Sequence, residues 1–233
     1  MKTRIILATV FLCVVSGLRA QYDNKNIVRD NFEQNRFQWE EFYSKESTGY
    51  IDVEEGVYVL QNKKKYPPFA KSVTNLPLDP QENFKYKVTL IIPKLTKSYY
   101  FGIVWGHKDY TELARKQFNG DAVIQSYGFG AFMVSEGMYK ICGGFETERT
   151  DYKLPLVGLA KVEDGRVVLR SGQNREVVLE MEKKGNKLIF SVDNMEVATL
   201  QEDVPSRSFG FIVEGKNIIK VKEVAIEQLR EED

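Results

Sequence analysis

Phe84-Lys85-Tyr86-Lys87-Val88-Thr89-Leu90-Ile91-Ile92 alternates large apolar side chains with mostly polar ones, and Pro93 closes the run. Successive side chains of an extended chain point to opposite faces, so Phe84, Tyr86, Val88, Leu90 and Ile92 share one face. A helical turn would scatter these five around its circumference. The stretch therefore predicts a strand buried on one side, as an antiparallel sheet packed on a second layer requires.

The same period extends in both directions. Upstream, Gly49 to Val53 alternates, Glu54-Glu55-Gly56 turns the chain, and Val57 to Leu60 follows. Ser72 to Leu78 lies between Pro67-Pro68 and Pro80. Downstream, Tyr99 to Trp105 is densely apolar, with Phe101, Ile103 and Trp105 on one face and Tyr100, Gly102, Val104 and Gly106 on the other. Tyr127 to Val134 and Met138 to Cys142 flank Ser135-Glu136-Gly137, a hairpin signal. Arg166 to Leu169, Glu176 to Met181, Lys187 to Val192 and Glu196 to Leu200 read as further strands, with Gly185-Asn186 and Asp193-Asn194 as turns. Phe209 to Val213 and Ile218 to Ile226 close the series. Roughly a dozen short strands at close spacing specify a sandwich or barrel. The expected class is all-β: a two-sheet antiparallel jelly-roll sandwich with one short helix or helical loop.

The helical element is Asp109 to Phe118. Asp109-Tyr110-Thr111-Glu112 has capping-box spacing, and Tyr110, Leu113, Ala114 and Phe118 fall on one helical face. An irregular strand is the alternative. The helix is expected to pack through Leu113 and Phe118, either walling a ligand site or covering a sheet edge.

Residues 1–20 stand apart. Lys2 and Arg4 precede an apolar run from Ile5 to Val15, and small residues lead to Ala20. That pattern predicts a cleaved secretory signal, hence a secreted or periplasmic location and one domain over 21–233. No other apolar run is long enough to span a membrane. The chain has 33 basic and 33 acidic residues; without the leader, 30 face 33, which disfavours a nucleic-acid partner. Cys142 is then the single remaining cysteine, so no intramolecular disulfide is expected, and its apolar setting predicts an inert buried thiol.

The order of features resembles the concanavalin-A-like lectin/glucanase superfamily, including laminin-G-like domains. The carrying residues are Asn31-Phe32 and Phe37-Gln-Trp39, then Glu55-Gly56-Val-Tyr58-Val-Leu60, then Tyr100-Phe-Gly-Ile-Val-Trp105. Phe132 to Lys140 follows as a hairpin. Ser171-Gly-Gln-Asn174, Lys184-Gly-Asn and Leu188 to Asn194 form the strongest stretch, and Phe209-Gly-Phe-Ile-Val closes it. Asn194-Met195 departs from the Asn-Gly usual there. The resemblance implies a jelly roll with glycan binding or cleavage on a concave sheet. Calcium is common in such folds, so a structural calcium is the one cofactor left open, with Asp30 near the sheet edge as its candidate ligand.

Glucanases of this superfamily mount carboxylates two and four apart on one strand. Asp52-Val-Glu54-Glu55 offers one alternating pair inside a turn; Glu146, Glu148 and Asp151 read as a polar loop; Glu40 and Glu41 have no evident partner. A single histidine and a single mature cysteine exclude an ordinary His/Cys zinc site. No Gly-x-Ser-x-Gly elbow exists for a triad using His107. Aromatic residues crowd the middle third, where sugar rings could stack. The expected function is a non-catalytic module binding a glycan on the concave face. Candidate ligand residues are Tyr100, His107, Tyr127, Tyr139 and Tyr152. A glycosidase or lyase with an atypical site, and a domain that binds an extracellular protein, remain the alternatives.

Overall fold

The computed structural model describes residues 27–118, 120–151, 156–169 and 172–229. Residues 1–20, with their expected leader, and Tyr152 lie outside the described residues. Fifteen strands form two antiparallel sheets. The strands are β1 (Ile27–Asp30), β2 (Phe42–Tyr43), β3 (Ser47–Asp52), β4 (Val57–Asn62), β5 (Phe69–Asn75), β6 (Phe84–Lys94), β7 (Phe101–Asp109) and β8 (Val123–Ser135). They continue with β9 (Met138–Arg149), β10 (Leu156–Arg166), β11 (Gln173–Lys184), β12 (Lys187–Val192), β13 (Met195–Gln201), β14 (Ser208–Glu214) and β15 (Asn217–Gln228). Sheet A has nine strands in the order β13-β12-β11-β6-β15-β4-β3-β2, with β1 paired to the other half of β15. Sheet B has six, in the order β10-β9-β8-β7-β14-β5.

The deciding stretch is β6. Its five alternate residues, Phe84 to Ile92, are fully buried, and its neighbours on the other face are half-exposed. Facing them from sheet B are Phe101, Ile103 and Trp105 of β7 and Phe209 and Phe211 of β14. Trp39 stacks on Phe211 at 4.5 Å, and Phe190 touches both Trp105 and Phe132. The Asp193-Asn194 turn takes positive φ at both residues, +49° and +65°. That is the two-residue hairpin geometry whose twist suits the flanking strands, and it needs Asn or Asp where Gly is missing.

Two expected elements differ. Arg166 to Leu169 is not a strand; the strand is β10, Leu156–Arg166, ahead of it. A register shift between Lys161 and Glu163 breaks its alternation, which is why the sequence does not display it. The polar stretch at Glu146 and Glu148 is not a loop: β9 runs on through Arg149.

The helix exists as α1 (Thr111–Gln117). Its start departs from a capping box, because Asp109 Oδ1 accepts from the Thr111 amide at 2.8 Å and hydroxyl at 2.5 Å rather than from the Glu112 amide. Leu113 points outward, 61% exposed, while Ala114 is buried and Phe118 is half-buried beneath the Arg149 guanidinium. Ala is short enough to let the helix lie close to β8, so the larger neighbour is turned away.

Asp30 is buried, and its carboxylate accepts from the Phe32 and Phe37 amides and from Trp39 Nε1 at 3.0–3.3 Å. It ties the first loop to the core. Among the described residues no group of three or more His, Cys, Asp or Glu side chains could hold a metal ion.

Candidate functional site

Alternation assigns the outer face of sheet B. Pairing puts Val104 of β7 opposite Ala131 of β8, Ala131 opposite Cys142 of β9, and Cys142 opposite Lys161 of β10. Phe69, Val104, Phe129, Ala131, Met133, Cys142 and Ile212 form a second buried cluster there, separate from the main core, with Tyr100, Val157 and Leu159 packed against it. An apolar floor on an outer face is unusual for a one-sided sheet.

That face is concave. Four strand spacings separate β5 from β9, about 19 Å in a flat sheet. Yet Lys71 on β5 reaches Glu146 on β9 at 3.0 Å. Phe69 meets the Phe129 ring edge-on at 5.7 Å across three spacings. Only a strongly curved sheet brings these side chains together. Glycines permit the curvature: a Cβ on Gly102 would sit 1.9 Å from the Phe132 carbonyl oxygen, and one on Gly210 1.8 Å from that of Ser72. Lys71 also lies over Phe129 at 5.4 Å, and Lys140 lies over Tyr100 at 4.1 Å while pairing with Glu214 at 2.6 Å. These two cations close the middle of the concavity.

At one end a cleft of about 310 Å³ remains, lined by Ser47, Pro67, Phe69, Ala70, Lys71, Gln125, Tyr127, Glu146, Glu148 and Val157. Its aromatic wall is set by a bulge. Between Trp105 and Lys108 one extra residue enters β7, with Gly106 at φ +67°. The bulge sends Lys108 over Tyr110 on the inner side and lays His107 against the Tyr127 ring, centroids 4.8 Å apart and planes 22° apart. His107 Nε2 is shielded from solvent without a hydrogen-bond partner. Burial, followed by the Lys71 ammonium, holds the imidazolium below its ordinary range, against the weaker opposing pull of Glu146 and Asp109. The imidazole is therefore neutral at pH 7.

The expected site residues separate. His107 and Tyr127 come together at the cleft. Tyr100 shares the concave face but lies beneath Lys140, away from the cleft lining. Tyr139 is on the opposite side, in the main core, with its hydroxyl donating to Glu163 at 3.1 Å and its ring over Gly165. Lys71, Gln125, Glu146 and Glu148 were not singled out as a site. The signal for the two glutamates was present: Cys142, Gly144, Glu146 and Glu148 keep a single period along β9.

Helix α1 does not wall the cleft. It packs on the reverse side of the same strands, where Ser126 and Thr147 pair at 2.9 Å and Thr111 Oγ1 accepts from the Ser126 amide. It backs the cleft instead.

A full set of three carboxylates spaced two and four apart on one strand is missing from this face among the described residues. The central strand β8 presents Tyr127, Phe129, Ala131 and Met133. Glu146 and Glu148 form one alternating pair, and Lys71 engages the first. In the Asp52 to Glu55 turn, Asp52 accepts from the Glu55 amide and Glu55 pairs with Lys220. A larger depression, about 930 Å³, lies on the outer face of sheet A. It contains no aromatic side chain, and its charges pair across strands, as in Arg29–Glu223 and Lys222–Glu176.

No protein-family model and no curated protein matches the sequence. Solved structures do match in shape. A β-glucanase from Bacillus licheniformis aligns with TM-score 0.52 at 10% identity, over 88% of this chain and 98% of that one. A kappa-carrageenase from Pseudoalteromonas carrageenovora, solved with an oligotetrasaccharide of kappa-carrageenan, gives 0.51 at 8%, over 91% and 99%. A carbohydrate-binding module from Bacillus subtilis gives 0.48 at 12%, over 81% and 94%. The chain has the concanavalin-A-like lectin/glucanase fold. Glycan-binding modules and glycoside hydrolases share that fold.

Proposed function

We propose that this chain is a secreted or periplasmic, non-catalytic domain that binds a short glycan in the cleft at the end of the concave face. The observation that carries the reading is the Tyr127 ring, backed by His107 and flanked by Gln125 and Glu148. A sugar ring lays its C–H face on an aromatic surface, and adjacent amide and carboxylate groups accept from its hydroxyls. The cleft volume is near the lower end of the ~300–1,000 Å³ usual for small-molecule sites, which suits one or two sugar rings. The filled floor limits the ligand to that end.

Hydrolysis is the weaker reading. A retaining site needs a nucleophile and an acid about 5–5.5 Å apart, an inverting one carboxyls about 6.5–9.5 Å apart with room for water. Here one member of the Glu146–Glu148 pair on the concave face is engaged by a lysine. Export, expected from residues 1–20, belongs to the proposal.

A glycan array with the purified chain, followed by calorimetry on the best hit, tests it. Tyr127→Ala is expected to weaken binding at least about tenfold, the loss of one well-packed aromatic contact, with Tyr100→Ala unchanged and no reducing ends released. Release of reducing ends that Glu146→Gln or Glu148→Gln abolishes would establish a hydrolase. Failure to bind any glycan, with capture of a defined extracellular protein, would replace the sugar by a protein partner.

A further inference from the structure

Charge in the cleft narrows the ligand class, an inference that rests on the glycan reading above. Glu146 and Glu148 line the cleft, and Asp109 is the register partner of Tyr127. Among the described residues the one cation lining the cleft is Lys71, and Glu146 already engages it at 3.0 Å. Lys63 and Lys64, on the adjoining loop, are held by the Ser44 carbonyl and by Glu46. Glu148 is exposed and makes no ion pair or hydrogen bond among the described residues. His107 brings no positive charge at neutral pH. A bound sugar therefore meets an aromatic wall, an amide and an uncompensated carboxylate.

We infer that the cleft selects amino sugars carrying a free ammonium over their N-acetylated counterparts and rejects uronates. A carboxylate and an ammonium form a charge-assisted hydrogen bond, stronger than the one from the neutral amide N–H that an acetamide leaves in its place. A uronate carboxylate brought beside Glu148 is repelled and loses hydration without gaining a partner. Lys71 does not offset this, because turning toward the ligand would strand Glu146 at its half-buried position.

The experiment is calorimetric titration of the purified chain with three oligosaccharides of equal length: glucosamine, N-acetylglucosamine and a uronate. The amine oligomer is expected to bind about tenfold tighter than the acetylated one, the scale of one charge-assisted hydrogen bond, with uronate binding weaker than both. Glu148→Gln should remove most of that preference, weakening the amine oligomer well beyond any loss seen with the acetylated one. Tyr127→Ala should weaken both, which ties the binding to this cleft. Uronate binding as tight as the amine, or a preference that survives Glu148→Gln, overturns the inference. If neutral glycans bind and no amine preference exists, only the charge selection falls. If no glycan on an array binds, the sugar reading falls with it.

Discussion

His107 is the one imidazole in the chain, so its titration reports on the cleft without overlap. Its folded pKa lies below the ordinary value near 6.5, chiefly through burial. Between the two values the unfolded chain binds the additional proton, so stability rises with pH. The stabilisation is fully present above about pH 6.5 and is lost as pH falls through the folded value. Subtracting the pH–stability curve of His107→Gln from that of the native chain should isolate this loss on the acid side. A difference that is flat from pH 7 to pH 4 would mean the imidazole is not buried against Tyr127. At this scale the sequence showed only part of the candidate cleft. His107 and Tyr127 were legible because aromatics crowd that stretch. Tyr139 has the same look but falls on the core side, since Phe132 to Tyr139 is a hairpin whose register assigns the faces. Lys71 sits 75 residues from Glu146 in the chain, and only the curvature of sheet B joins them.

Strands were read well wherever one face is buried and the other wet, as in β6. They were read poorly where a bulge intervenes. β8 was expected over Tyr127 to Val134 and is a strand there, but it carries apolar side chains on both faces, one for the main core and one for the concave floor, so alternation could not tell the faces apart. β10 hides behind its register shift. A recurring device replaces the pattern: aromatic rings lying over glycines directly across the ladder. Trp105 covers Gly130, Phe129 covers Gly144, and Phe145 covers Gly158. Each glycine makes room for a ring, so a methyl group there must displace it. Gly102 is stricter still, because backbone of the next strand occupies its Cβ position. Gly143 has nothing within 4 Å of that position. Thermal melts should therefore show Gly102→Ala destabilised by several kcal/mol, more than the roughly 1–3 of ordinary overpacking, and Gly143→Ala within about 0.5 kcal/mol of native. Equal losses at the two sites would contradict the account of how sheet B bends.

For the molecule as a whole, two sheets enclose one large apolar core, and among the described residues no disulfide joins them. Cys142 is free and buried in the concave floor, and burial raises its thiol pKa. What the sequence could not show is the balance between an open and a filled concave face. That balance depends on β5 and β9 meeting over β8, a contact between segments with no local signal of each other. The filled floor leaves the Tyr127 end open, and that is where the proposed glycan would seat. The central claim is that a glycan seats there and nowhere else on the two sheets. Amide-resolved NMR titration of the chain with its best array ligand tests it most directly. The account predicts shifts confined to His107, Gln125, Tyr127, Glu146, Glu148 and their neighbours, with Lys87, Thr89 and Glu180 on the outer face of sheet A unmoved. Shifts centred on that outer face, or on the α1 side of β8 and β9 without Tyr127, would contradict it.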